Sequence, residues 1–247
     1  MSNVSTNDSF VDSVRALRQA QKSNRGAPLY SRFVNRRLGR LFAAAAYQLG
    51  LTPNQVTGIS ALFTFSGIAG LALWPPSILM AATVGLLLIV GYALDSADGQ
   101  LARLRGGGSP AGEWLDHVCD AAKHSTIHLA VLVSLYRFGD FGTDMVLLMP
   151  LAYSAVDSVL FFGFILTDHM RKPRGPTLAV DDKDSPSTLR SLLAAPTDYG
   201  LLCVVFLTFA FPSVFVLLYG LMLLGSAGYL VLALPKWYRD VARIRSN

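Results

Sequence analysis

The stretch ALDSADGQLARLRGGGSPAGEWLDHVCDAAKH, residues 93–124, decides how this chain is read. It closes a run from Leu41 to Leu94 that contains no Asp, Glu, Lys or Arg. Asp95, Asp98, Asp116 and Asp120 then arrive together, with Arg103 and Arg105 between them. The uncharged run is far longer than the ~20 residues that one membrane-spanning helix requires. The chain is therefore expected to cross a bilayer several times. Helices are the expected spanning elements, because a helix satisfies its own backbone hydrogen bonds in lipid. Carboxylates at the end of such a run are costly, and they mark a functional site.

Composition supports this reading. Of 247 residues, 52% are hydrophobic and 15% charged, where soluble domains carry about 25% charged residues. The net charge of +5 does not point to nucleic acid. Its basic residues gather at the edges of apolar segments, as the cytoplasmic excess of Lys and Arg predicts. Cys119 and Cys203 sit in apolar context and imply neither a disulfide framework nor a metal-ligand spacing. Residues 1–30 lack the apolar core of a signal peptide.

The expected fold is all-α: a polytopic membrane protein with six transmembrane helices preceded by an amphipathic interfacial helix. Ser9 caps a short N-terminal helix with Phe10, Val14 and Leu17 on one face. In SRFVNRRLGRLFAAAAYQLG, residues 31–50, Phe33, Leu38, Leu41 and Phe42 alternate with Arg32, Arg36, Arg37 and Arg40. That pattern fits a helix lying on anionic lipid. Six spans are expected at 55–74, 78–104, 111–137, 143–167, 197–213 and 214–234. Residues 1–50 then form a cytoplasmic N-terminal segment, 51–235 the membrane domain and 236–247 a basic cytoplasmic tail. The basic clusters Arg32–Arg40, Arg103 with Arg105, HMRKPRG and Lys236–Arg245 share one side. Both termini are thereby placed in the cytoplasm of a multi-pass cell-membrane protein. Residues 169–195, with their prolines and mixed charges, read as an exposed loop.

Helical spacing organises the aspartates. Asp95, Gly99 and Arg103 lie four apart on one face, with Asp98 beside Asp95. Gly112, Asp116 and Asp120 repeat the spacing on the next helix. The link LRGGGSPA lets the two helices return antiparallel, so the two faces can meet. Four carboxylates in so small a volume drive one another toward protonation unless a cation neutralises them. An all-carboxylate oxygen set suits Mg²⁺ or Mn²⁺. Four carboxylates can serve two ions, and paired ions suit transfer at phosphorus. Gly99 and Gly112 leave room for a bulky ligand, and Arg103 offers planar donors for phosphate. A proton relay or a cation transporter using the same aspartates is the rival class. It gives no reason for the Gly99, Ala102, Arg103 pattern.

The segment DSADGQLARLRGGGSPAGEWLDHVCD, residues 95–120, resembles the signature of the CDP-alcohol phosphotransferases. Asp95, Asp98, Gly99, Ala102, Arg103, Gly112, Asp116 and Asp120 fill every position of D-x-x-D-G-x-x-A-R, a short link, then G-x-x-x-D-x-x-x-D. The resemblance implies a reaction: an acceptor hydroxyl attacks the β-phosphorus of a CDP-linked donor, and CMP leaves. It implies that Asp95, Asp98 and Asp116 hold metal, with Asp120 near it or sharing it. Asp120 also matches the general base. Gly99, Ala102, Arg103, Ser109 and Gly112 match donor-binding positions. The segment TPNQVT, 52–57, resembles the family's entry to span one, where Asn54 and Thr57 approach the nucleotide. His117 follows the third aspartate in GEWLDH, similar to the choline/ethanolamine branch, and is a candidate assistant in proton transfer.

Two donor–acceptor arrangements stay open. The first pairs CDP-diacylglycerol with a small polar acceptor, such as glycerol phosphate, serine or inositol phosphate. The second pairs a small donor, CDP-choline or CDP-ethanolamine, with a lipid acceptor. Candidate acceptor-pocket residues are Arg105, Asp157, Arg171, Lys172, Arg190 and Asp198. His124 and His128, four apart, read as polar packing or the lining of a cavity. The partners expected are the CDP donor, the polar acceptor, membrane lipid and a second copy packed through transmembrane helices, without nucleic acid.

Overall fold

The computed structural model describes residues 10–19, 28–139, 141, 143–171 and 194–244. Every regular element among the described residues is helical. In order they are α1 (Phe10–Gln19), a π-helical turn (Ser31–Asn35), α2 (Arg36–Gln48), α3 (Pro53–Leu73), α4 (Ile78–Leu104), α5 (Pro110–Phe138), α6 (Leu148–Arg171), α7 (Tyr199–Phe206) and α8 (Pro212–Ile244).

Local chemistry sets the helix starts. At α3, Thr52 accepts from the Gln55 amide at 3.3 Å while the Thr52 amide donates to Gln55 Oε1 at 2.8 Å. Pro53 follows at the first helical position, where its missing N–H costs nothing. Ser77 caps α4 through the Met80 amide, and Ser109 caps α5 through the Gly112 amide. Between α4 and α5 the chain turns through Gly106 and Gly107 at φ 94° and 136°, a conformation that favours glycine.

Four helices among the described residues are long and apolar enough to cross a membrane: Pro53–Leu73, Ile78–Leu104, Asp144–Arg171 (α6 with the 3₁₀ turn before it) and Pro212–Ile244. On them Leu62, Leu86, Phe162, Leu224 and Leu232 are each more than 60% exposed. In water such faces would aggregate, and in lipid they are solvated. The third expected span, 111–137, lies within the single 29-residue helix α5. Glu113, Asp116, Asp120 and Lys123 charge its first half.

The fifth expected span, 197–213, is not one long helix. A 3₁₀ turn at Ala195–Thr197 leads into α7, which has eight residues. Bonds of the tighter i→i+3 kind, such as Leu207 to Val204 and Phe211 to Thr208, carry the chain to Pro212. Eight residues rise only ~12 Å, so the tighter turns on either side have to make up the rest of a ~30 Å crossing. The last helix instead runs past the expected end at 234, through Pro235, to Ile244.

The segment 31–50 is divided between the π turn and α2. Its protein-facing side is made of small residues, with Gly39, Ala43, Ala44 and Ala46 buried. A Cβ at Gly39 would lie 2.7 Å from Ser96 Oγ, so α2 rides close on α4. Phe33 and Leu41 face outward. α1 packs through Leu17 into the cluster formed by Ala43, Ala44, Ala46, Val56, Ala97 and Leu101. The main core lies further along the bundle, where Phe215 stacks on Phe206 and Tyr219 and meets Phe209 edge-on, packed with residues of α4, α5 and α6.

α3 and α4 approach closely at Gly91. A Cβ there would meet Thr64 Oγ1 at 2.3 Å, and Ser60 Oγ donates to the Gly91 carbonyl at 2.8 Å. Small residues at such crossings let backbones meet in lipid. This contact, with the turn at 106–107, brings the ends of α3, α4 and α5 together.

Candidate active site

Asp95 and Asp98 lie near the end of α4, and Asp116 and Asp120 near the start of α5. Asp95 feels the charges of Asp120, Asp98 and Asp116, so the four carboxylates share one site as their spacing predicts. Asp98 is buried, and Asp95 and Asp120 are about one-fifth exposed. Asp116 and His117 are more open, at 36% each. The site thus grades from a buried edge at Asp98 to an open one at Asp116.

Ligand atoms of Asp116, His117 and Asp120 all lie within 4.8 Å of one another. His117 Nδ1 is buried with no hydrogen-bond partner among the described residues, 4.0 Å from Asp116 Oδ2. An orphaned nitrogen beside clustered carboxylates fits a bound divalent cation. The oxygen-rich set fits Mg²⁺ or Mn²⁺.

The donor-side positions divide. A Cβ at Gly99 would meet only Arg103 Nη1, at 3.6 Å. Space lies above this glycine, not a helix. Gly112 is different: a Cβ there would strike Asn54 Oδ1 at 2.9 Å and Ser109 Oγ at 3.2 Å. Its lack of a side chain admits Asn54 from the start of α3. Thr57 reaches the carboxylate cluster, with Oγ1 donating to Asp98 Oδ2 at 2.6 Å. Arg103 lies within the charge field of both Asp98 and Arg36. Burial lowers the proton affinity of the Arg36 guanidinium, and the Arg32 charge acts the same way. Ala102 turns the helix end, its carbonyl accepting from Gly107 at 2.9 Å.

The expected acceptor-pocket residues engage separate partners. Arg105 lies over the Tyr47 ring at 5.8 Å. Arg171 pairs with Asp240, joining α6 to α8. Asp157 Oδ2 is held by His124 Nδ1 at 2.7 Å and His128 Nε2 at 3.2 Å, and His128 Nδ1 lies 2.6 Å from the Tyr219 hydroxyl. Asp198 caps α7 and also accepts from the Tyr30 and Ser31 amides at 2.8 and 3.2 Å. It fastens the N-terminal segment to the bundle. His124, Asp157 and Asp198 line a cavity of about 10 Å³ with Tyr153, Thr197 and Tyr199. Lys172 and Arg190 lie outside the described residues.

One residue at the site was not anticipated. Lys123, one turn beyond Asp120, is 5% exposed. Its ammonium donates to Asp120 Oδ1 and lies 3.7 Å from Asp95 Oδ1. The Tyr199 and Tyr92 rings flank it at 4.8 and 5.8 Å. A lysine buried among the helices of a membrane protein is itself a signal of function.

Fold and site define a helical membrane protein with a carboxylate centre where two helices meet. A model of the CDP-alcohol phosphatidyltransferase family matches residues 50–234, and the chain belongs to that family. It is 34% identical over 106 residues to phosphatidylinositol phosphate synthase of Mycobacterium tuberculosis, covering 42% of this chain and 46% of that one. It is 36% identical over 91 residues to archaetidylinositol phosphate synthase of Pyrococcus horikoshii, covering 37% and 44%. To human ethanolaminephosphotransferase 1 it is 35% identical over 85 residues, covering 34% and 20%. The matches thus span less than half the length of these relatives. The crystal structure of Mycobacterium tuberculosis phosphatidylinositol phosphate synthase with CDP-DAG bound superposes with a TM-score of 0.58 at 18% identity. That superposition covers 83% of this chain and 94% of the other, and it reflects a shared fold.

Proposed function

We propose that the chain is an integral membrane transferase that moves a phosphatidyl group from CDP-diacylglycerol to the hydroxyl of a small polar alcohol, releasing CMP. The observation that carries this reading is the convergence of Asp95, Asp98, Asp116 and Asp120 beside the open space over Gly99. Arg103 and Arg36 hold two like charges near each other, an arrangement that an anion such as the donor diphosphate relieves. Asn54, Thr57, Ser109 and Gly112 are assigned to the donor in the same reading. The lipid tails stay in the bilayer while the nucleotide meets the carboxylates at its cytoplasmic edge.

Asp95, Asp98, Asp116 and Asp120 hold Mg²⁺ or Mn²⁺, and four carboxylates can serve two ions, the number expected from the sequence. A divalent cation held by these carboxylates would supply polarisation of the phosphoryl oxygens and offset charge developing on them. Asp120 accepts the proton of the acceptor hydroxyl. The hydroxyl oxygen of the acceptor then bonds to the β-phosphorus, the bond from that phosphorus to the bridging oxygen breaks, and CMP carries the electron pair away. Binding of the acceptor beside Asp120 supplies most of the orientation the step needs.

The topology proposed with this activity has six spans, both termini cytoplasmic and the 31–50 segment at the interface. Its outward Phe33 and Leu41 suit lipid contact. The division at 50 and 235, residence in the cell membrane and a homodimer through transmembrane helices belong to the same proposal. A second reading, transfer from CDP-ethanolamine or CDP-choline to a lipid acceptor, draws on GEWLDH and on the resemblance to human ethanolaminephosphotransferase 1. A CMP-release screen decides. Purified protein is given CDP-diacylglycerol with glycerol phosphate, serine, inositol or inositol phosphate, and separately CDP-choline or CDP-ethanolamine with diacylglycerol. Release only in the second arm overturns the first reading, and release in neither overturns both.

A further inference from the structure

Lys123 brings a permanent cation to one edge of the carboxylate cluster. Its ammonium rests on Asp120 and stands 3.7 Å from Asp95, so it bridges these two side chains across α4 and α5. It has little freedom to leave, being 5% exposed and flanked by the Tyr92 and Tyr199 rings. The void on this edge, lined by Thr57, Asp95, Cys119, Asp120 and Lys123 among others, measures about 10 Å³. That is room for roughly one water. Mg²⁺ keeps several waters and demands near-octahedral geometry. A divalent ion here would lie against an ammonium and lack space for its hydration shell. The opposite edge contrasts: Asp116 and His117 are each 36% exposed, and His117 Nδ1 has no hydrogen-bond partner among the described residues.

We infer that Lys123 takes the place of a second divalent cation, so that the centre holds a single ion at its open Asp116 end while the ammonium neutralises the Asp95–Asp120 edge. The inference rests on the reading of the aspartates as a metal site and revises its ion count. Lys123 is a positioning residue in this scheme. It holds Asp120 in place beside the reacting hydroxyl without touching substrate.

The test counts ions on the full-length chain in lipid nanodiscs, by Mn²⁺ binding and electron paramagnetic resonance. The wild type is expected to bind one Mn²⁺ per chain, with the hyperfine pattern of an isolated ion. Lys123→Met is expected to admit a second ion and show the broadened spectrum of a coupled pair. Lys123→Arg keeps the charge and is expected to remain at one. Two ions in the wild type overturn the inference and leave the metal site standing. No ion at millimolar free Mn²⁺ overturns both. A folded Lys123→Met protein that still binds one ion also overturns it. The wild-type count needs no variant, so a Lys123→Met protein that does not fold leaves the inference decidable.

Discussion

At Asp98 a single carboxylate is buried, accepts from Thr57 at 2.6 Å and faces the other three aspartates. Such a group is tolerable beside lipid only with a cation near it. Asp98→Asn and Asp116→Asn are each expected to abolish CMP release while helical content by circular dichroism stays at the wild-type level. Near wild-type turnover of Asp98→Asn at ordinary Mg²⁺ would sink the metal assignment. Asp120 is proposed instead as the base. Asp120→Asn is expected to keep CDP-donor affinity but lose ~10²–10⁴-fold in turnover, the usual contribution of positioned proton transfer. Excess Mn²⁺ should not restore it. His117→Ala should lose less, and the reverse order would shift the base to the histidine and favour the ethanolamine-type reading.

At the scale of the element, two glycines on α4 serve opposite ends. Gly91 is filled from outside by Thr64, and Gly99 opens onto empty space. Gly91→Leu is expected to cost about 1–3 kcal/mol through overpacking, read as a lower midpoint in thermal unfolding in detergent. Gly99→Leu should leave that midpoint unchanged and block the CDP donor, measured by nucleotide binding to the purified chain. The same unfolding shift in both proteins would remove Gly99 from the donor site. The expected starts at 55, 78 and 111 fall within two residues of the starts of α3, α4 and α5, where Thr52, Ser77 and Ser109 each bond an amide three residues on. The break near 213 was expected, but not that the helix before it has only eight residues, because an apolar run has the same hydropathy whether it is one long helix or a short helix and a turn.

At the scale of the whole molecule, the positive-inside pattern predicts one sidedness for both ends of the chain. In a Cys119→Ala, Cys203→Ala background, a cysteine at Ser77 should react with an impermeant thiol reagent in intact cells, and one at Arg243 only after permeabilisation. Labelling of both in intact cells would overturn the cytoplasmic C-terminus.

The sequence alone determined the helical membrane class and the four carboxylates that gather at the ends of α4 and α5. Both follow from short-range regularities: an uncharged run too long for one span, and aspartates at spacings of three and four that one helical face must carry. Tertiary structure decided what those residues meet. Thr57 braces Asp98, Asp198 holds the Tyr30 and Ser31 amides, His124 and His128 close on Asp157, and Lys123 bridges Asp95 and Asp120. Except for Lys123 on Asp120, one turn away, these contacts join residues far apart in the chain. Spacing along one helix says which side chains share a face, while the packing of several helices says which faces touch.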